Sequence, residues 1–288
     1  MKTKLLPTMI LGLLMLPTLA LARVPTEKEL LGVYKLTKFA TVDAHGAETP
    51  WCEAAEGSIA YLPGFMSVSI NCAETTPGTQ AASMGGVLFY SGPFEIDTRA
   101  GEVIHRARNG SHPSLVKVHR RKLTMNSSNH LLLSGQMPGG GSIVIEWERS
   151  ERFAYDNSAL TGVYELVGSE NEVPGSLDTI PFCTGFHGTI MYTPGGFGAV
   201  SINCGEKADP NAVEPADQFG RKYFYAGPYH QAEQILVQKM ALASEVAHRG
   251  GEARREMLLE GDLLTLKGTN GSKFVATWKK LRSFVGLR

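Results

Sequence analysis

The stretch Gly57-Ser58-Ile59-Ala60-Tyr61-Leu62-Pro63-Gly64-Phe65-Met66-Ser67-Val68-Ser69-Ile70-Asn71-Cys72 decides the fold, because the chain carries it twice. The second copy runs Gly188-Thr189-Ile190-Met191-Tyr192-Thr193-Pro194-Gly195-Gly196-Phe197-Gly198-Ala199-Val200-Ser201-Ile202-Asn203-Cys204, with one extra glycine at the turn. In the first copy Met66, Val68 and Ile70 alternate with Ser67, Ser69 and Asn71, the period-two pattern of a half-buried strand. Pro63-Gly64 and Pro194-Gly195-Gly196 break the two runs as hairpin turns.

The self-similarity spreads outward from this hairpin. Gly32–Leu36 answers Gly162–Leu166, Phe89–Pro93 answers Phe224–Pro228, Arg120-Arg121 answers Arg254-Arg255, and Trp147 answers Trp278, at a steady offset of 130 to 135 positions. That spacing is a duplicated domain, not a short solenoid repeat. Strands are expected near 32–43, 57–62, 65–72, 87–97, 102–109, 117–125, 130–137 and 142–149. The second copy repeats them near 162–173, 188–193, 197–204, 221–231, 235–243, 252–259, 263–267 and 273–279, with a short helix within 208–220. Consecutive antiparallel strands in one small unit close best as a barrel, which leaves no open edge. The expected architecture is all-β: two tandem eight-stranded up-and-down antiparallel barrels, 23–150 and 161–288, joined by a linker at 151–160.

Composition agrees. The 288 residues include 32 glycines and only 19% charged residues, which suits a turn-rich β protein and not a bundle or a disordered chain. Basic and acidic residues balance at 28 each, so no net charge draws the chain to nucleic acid. Lys2 and Lys4, the apolar run from Leu5 to Leu19 and Ala20-Leu21-Ala22 read as a secretory signal over 1–22, cleaved before Arg23. No later segment is apolar enough to span a membrane, so a periplasmic or secreted protein is expected. In such a compartment Cys52, Cys72, Cys183 and Cys204 read as disulfide cysteines. Each pair brackets one hairpin, so folding about the turns pairs Cys52 with Cys72 and Cys183 with Cys204.

Several of these segments resemble the lipocalin-like domain of bacterial and fungal proteins, within the calycin group. They are the opening strand Gly32–Leu36, the hairpin Gly57–Ser67, the aromatic strand Phe89–Phe94, Arg120-Arg121, and a closing strand with Trp147. In the second copy Gly162–Leu166, Gly188–Ala199, Phe224–Tyr229, Arg254-Arg255, Leu259–Leu266 and Trp278 match. The first copy lacks the Leu-x-Gly-Asp-x-Leu-x-Leu turn and has Met125–Leu131 instead, and the paired cysteines lie outside the family pattern. The resemblance implies barrels with an interior pocket. It carries over no catalytic mechanism.

The chain has no zinc-protease, nucleophile-elbow, phosphate-loop or dinucleotide motif. No catalytic residue, metal or cofactor is expected. His105 and His119 lie on strands that could be neighbours, and Arg106, Arg108, Arg120, Arg121 and Lys122 form a basic strip. A tyrosine pointing into a barrel can hydrogen-bond a ligand or a buried arginine. The candidate ligand-binding residues are therefore Tyr34, Tyr90 and Arg120 in the first copy and Tyr164, Tyr225 and Arg254 in the second. A structural tyrosine–arginine contact is the competing reading. The expected function is binding of a small apolar molecule in a barrel cavity. The alternatives are an interaction or inhibitor module with filled barrels, acting through Glu74–Gly86 and Glu206–Gly220, and a cofactor-free isomerase or cyclase.

Overall fold

The computed structural model describes residues 23–78, 80–127, 129–137, 140–154, 158–171, 187–203, 222–269 and 274–283. Residues 1–22, Cys183, Cys204, the whole of Glu206–Gly220 and the helix expected within 208–220 lie outside the described residues.

The duplicated hairpin forms as two strands, β3 (Glu56–Leu62) and β4 (Phe65–Asn71), joined so tightly that Leu62 pairs with Phe65. Gly64 sits in that turn at φ +69°, where a side chain would be strained. Around the hairpin lie β1 (Gly32–Val42), β2 (Glu48–Pro50), β5 (Val87–Asp97), β6 (Glu102–Arg106), β7 (Asn109–Gly110), β8 (Val118–Met125), β9 (His130–Gln136) and β10 (Ser142–Arg152). Each long strand pairs with the next, and β10 pairs back along β1. Eight antiparallel strands, β1, β3, β4, β5, β6, β8, β9 and β10, thus close barrel one.

Barrel two repeats the scheme with β11 (Gly162–Asn171), β12 (His187–Tyr192), β13 (Phe197–Asn203), β14 (Lys222–Ala232), β15 (Ile235–Lys239), β16 (Leu242–Ala243), β17 (Glu252–Glu260), β18 (Leu263–Gly268) and β19 (Phe274–Ser283). Here β11 pairs with β19, and the short β16 flanks β14 as β7 flanks β5. Both opening strands carry register shifts at matching places, Leu36/Lys38 and Leu166/Gly168. Such bulges bend a strand and help it turn around a small barrel. The last strand of barrel one runs to Arg152, into the stretch expected to be linker.

One end of barrel one is closed by α1 (Glu27–Leu30), which starts at a capping box between Thr26 and Glu29 and buries Leu30 completely. The other end is crossed by the β1–β3 connection and by α2 (Gln80–Ser83), whose Ala81, with the following Met84, enters the core. A disulfide joins Cys52 to Cys72, with Cα atoms 5.9 Å apart, and so ties the first connection to the end of β4.

Alternation in β4 leads one to expect a solvated outer face, yet all seven of its residues are buried. The second barrel covers that face. Val33, Ala60, Leu62 and Phe65 pack with Val163 and Met191, and Val87 and Phe89 pack with Ala199, Phe224 and Leu242. The rings of Phe89 and Phe224 lie 4.5 Å apart. The hydroxyls of Ser91, Thr189 and Ser201 form a triangle with sides of 2.9 to 3.1 Å. Asn71 Nδ2 donates to the Ala243 carbonyl at 2.9 Å, and Asn203 Nδ2 donates to the Gly110 carbonyl at 3.1 Å. Ala243 and Gly110 occupy matching places, paired with Tyr225 and Tyr90. The interface is therefore isologous within one chain, with the two copies related as in a two-fold dimer. Asn71, Asn203 and Ser201 of the repeated motif serve this contact.

Candidate functional site

The inner face of β8 can be read back from its apolar end. Leu123 and Met125 are buried, so steps of two place Arg121 and His119 inside and Arg120 and Lys122 outside. The structure follows that phase. Arg120 is exposed and ion-paired with Glu102 at 3.2 Å. Arg254 is likewise exposed, 3.5 Å from Glu252. The register thus corrects the sequence expectation by one residue in both copies: Arg121 and Arg255, not Arg120 and Arg254, face the interior.

Arg121 lies against Gly135, where an added Cβ would stand 2.9 Å from Nη1. Its Nη1 donates to the Arg120 carbonyl at 3.1 Å, and its buried Nε has no hydrogen-bond partner. Among the described residues no carboxylate pairs with it.

His119 and His105 face each other across β8 and β6, as their positions suggested. His105 is fully buried between two phenols, with Nε2 2.9 Å from Tyr61 Oη and Nδ1 3.1 Å from Tyr90 Oη. Burial, helped by the charge of Arg121, holds its pKa well below the usual 6.5, so the ring is neutral and donates from only one nitrogen. Burial also pushes Tyr61 and Tyr90 upward, which keeps both phenols protonated. His119 stacks on Tyr90 at 4.7 Å, and its Nε2 lies 2.7 Å from the Leu115 carbonyl. A carbonyl only accepts, so Nε2 carries the proton and Nδ1 is left as an acceptor. Burial lowers the His119 pKa as well, keeping that tautomer neutral.

Tyr90, His119 and Arg121 border a cavity of about 800 Å³ in barrel one. Its apolar wall includes Trp51, Ile59, Ile70, Leu133, Ile145 and Trp147; Tyr90, His119 and Arg121 line it from the inner face, and the exposed Arg120 and Lys122 with their partner Glu102 line its outer part. The cavity extends to Lys117, Met137 and Ser142 at the end opposite α1. Trp51 covers that end, stacked on Phe39 at 4.6 Å and held by the adjacent disulfide.

The remaining candidates play two parts. Tyr34 and Tyr164 belong to the closed ends: Tyr34 Oη donates to the Leu30 carbonyl at 2.9 Å, and Tyr164 Oη to the Leu160 carbonyl at 2.8 Å. Arg149 lies 4.5 Å over the Tyr34 ring, and burial raises the Tyr34 pKa to about 12. Tyr90 borders the cavity. Tyr225 is buried at the matching place in barrel two, edge-on to Tyr223 at 5.4 Å.

No protein-family model matches the chain, and no curated protein is significantly similar to it. Among solved structures, a redesigned β-barrel is similar at 15% identity and a TM-score of 0.28, covering 44% of this chain and 96% of that one. Among the described residues no group of three His, Cys, Asp or Glu side chains could hold a metal ion, and no helix is long and apolar enough to cross a membrane.

Sequence reasoning names Arg121 only as one member of the basic strip, and it passes over Trp51 and the pairing of His105 with Tyr61 and Tyr90. Arg121 was accessible by counting back from Leu123 in steps of two. Trp51 gave no periodic signal, because it lies in a connection.

Proposed function

We propose that barrel one is a binding site for a small amphiphile with an apolar body and an anionic or acceptor-rich end. The supporting observation is the cavity of about 800 Å³, walled by aliphatic and aromatic side chains and bordered by a guanidinium with no carboxylate partner. That volume lies within the range of small-molecule sites. A cation in such a place favours an anion or a strong acceptor and repels another cation. His119 Nδ1 offers an acceptor two residues away for a neighbouring donor on the ligand. The neutral His105 is hydrogen-bonded by both its nitrogens to tyrosines, which favours a structural part for it over acid–base chemistry. The same reading takes the protein as an exported member of the lipocalin-like group, with residues 1–22 as its signal. The support is the sequence pattern of both copies together with the disulfide.

The test is titration of the oxidised chain with dodecanoate, dodecan-1-ol and dodecylamine, followed by tryptophan fluorescence. Saturable binding is expected, tightest for the acid and weakest for the amine. No saturable binding of any of the three overturns the reading. Equal affinity for the acid and the amine removes Arg121 from it.

A further inference from the structure

Barrel two keeps the tyrosines of barrel one and loses their partner. Register places Gln238 where barrel one has His105, since Tyr229 pairs with Gln238 as Phe94 pairs with His105. It places Ala253 at the His119 position and Gly198 at the Met66 position. Gln238 is only 2% exposed, yet neither its Nε2 nor its Oε1 has a hydrogen-bond partner. Tyr192, the counterpart of Tyr61, is fully buried, and its hydroxyl is also unpartnered. Buried polar groups are nearly always satisfied, and each orphan costs on the order of 1–3 kcal/mol.

These orphans are close neighbours on one inner wall. The Gln238 carboxamide lies on the backbone of Gly198, where an added Cβ would stand 2.7 Å from Nε2 and 3.1 Å from Oε1. Gly198 is the ladder partner of Tyr192. In barrel one the larger Met66 and His119 fill the corresponding places, and Tyr61–His105–Tyr90 closes on itself. Two strands from Ala253, on β19, Ala276 is the smaller counterpart of Ile145.

We infer that barrel two holds a second, chemically different binding site, centred on Gln238 and Tyr192, for a small neutral molecule bearing an amide-type donor and acceptor. A carboxamide presents one acceptor and two donors in a plane, and a lactam, amide or urea meets it with the complementary pair. The Tyr192 hydroxyl supplies a further hydrogen bond, and burial holds it protonated.

The experiment uses the full oxidised chain labelled with 15N and 2-piperidone as the probe, with cyclohexanone as a control that can only accept. The Gln238 side-chain NH2 signals are assigned by their loss in Gln238→Leu. Saturable shifts of these signals with 2-piperidone are expected, with cyclohexanone at least about tenfold weaker, as the loss of a hydrogen bond in a buried site implies. Read on the backbone amide signals of β12, β13 and β15, which all variants retain, the double variant Gly198→Met/Gln238→His installs the closed arrangement of barrel one and should abolish lactam binding; Gln238→Leu reports the same loss should the double variant not fold. Absence of saturable shifts, equal binding of both probes, or lactam binding unchanged in the variants overturns the inference. So does a slowly exchanging water on the Gln238 amide protons that the lactam does not displace.

Discussion

Where Met66 and His119 fill barrel one, Gly198 and Ala253 stand in barrel two, and where His105 joins two tyrosines, Gln238 joins none. The outer faces tell the opposite story. Ser69 and Asn71 are matched by Ser201 and Asn203, and the two asparagines make reciprocal hydrogen bonds across the interface. A face that packs against its own copy is constrained twice over, because a change on one side must suit the other. An interior enclosed by its own barrel is free of that coupling. Two copies of one fold can then share a wall and enclose different chemistry.

The largest effect should come from the shared wall. Phe89→Ala and Phe224→Ala should each lower stability by about 3–5 kcal/mol, as deletion of a buried ring does, and by similar amounts. Denaturant unfolding checks this; a small effect from either one breaks the two-fold equivalence of the interface. Next in size, Cys52→Ala/Cys72→Ala should cost about 3 kcal/mol by the chain-entropy account of a loop this long. It should also increase the exposure of Trp51 to an aqueous quencher. Loss of stability without greater Trp51 quenching would separate the disulfide from the cover over the cavity.

A smaller effect distinguishes the two arginines of β8. Arg121→Met should weaken dodecanoate by about tenfold, the loss of a charge-assisted hydrogen bond, and leave dodecan-1-ol nearly unchanged. Arg120→Met should change neither, because Arg120 is exposed and bound to Glu102. The reverse pattern would mean that the inner face of β8 is in the other phase.

The last signal, from His105, is absent at neutral pH and grows only as the pH falls. The folded pKa of His105 lies well below its ordinary 6.5, so the unfolded chain takes up the proton first as the pH falls. His105 therefore costs no stability above pH 6.5 and destabilises the fold progressively below it, by up to about 1.4 kcal/mol per pH unit. His105→Gln, which installs the residue of barrel two, should flatten that slope between pH 6.5 and 5. An unchanged slope would place the acid sensitivity elsewhere.

The architecture was legible because duplication and period-two alternation are written along single strands. Fifteen residues of Gly57–Asn71 fix one hairpin, and their recurrence at Gly188 fixes another. The barrel strands fall within a few residues of where alternation placed them. The short elements β2, α1 and α2 were not foreseen, since a few residues carry no period. The site was half legible. The tyrosines of Phe89–Phe94 and its copy were singled out, but the arginines were read one position off, on the basis of a dipeptide and not of phase. That Ser67, Ser69 and Asn71 are buried could not be read at all, because alternation records which face is less apolar and not what covers it.

The most direct test of equal shells with unequal interiors is a crystal structure of the oxidised chain grown with dodecanoate and 2-piperidone together. The account predicts dodecanoate in barrel one, its carboxylate at Arg121 and its chain toward Trp147, and the lactam in barrel two on Gln238 and Tyr192. Both probes in the same barrel, or each in the opposite one, would contradict it.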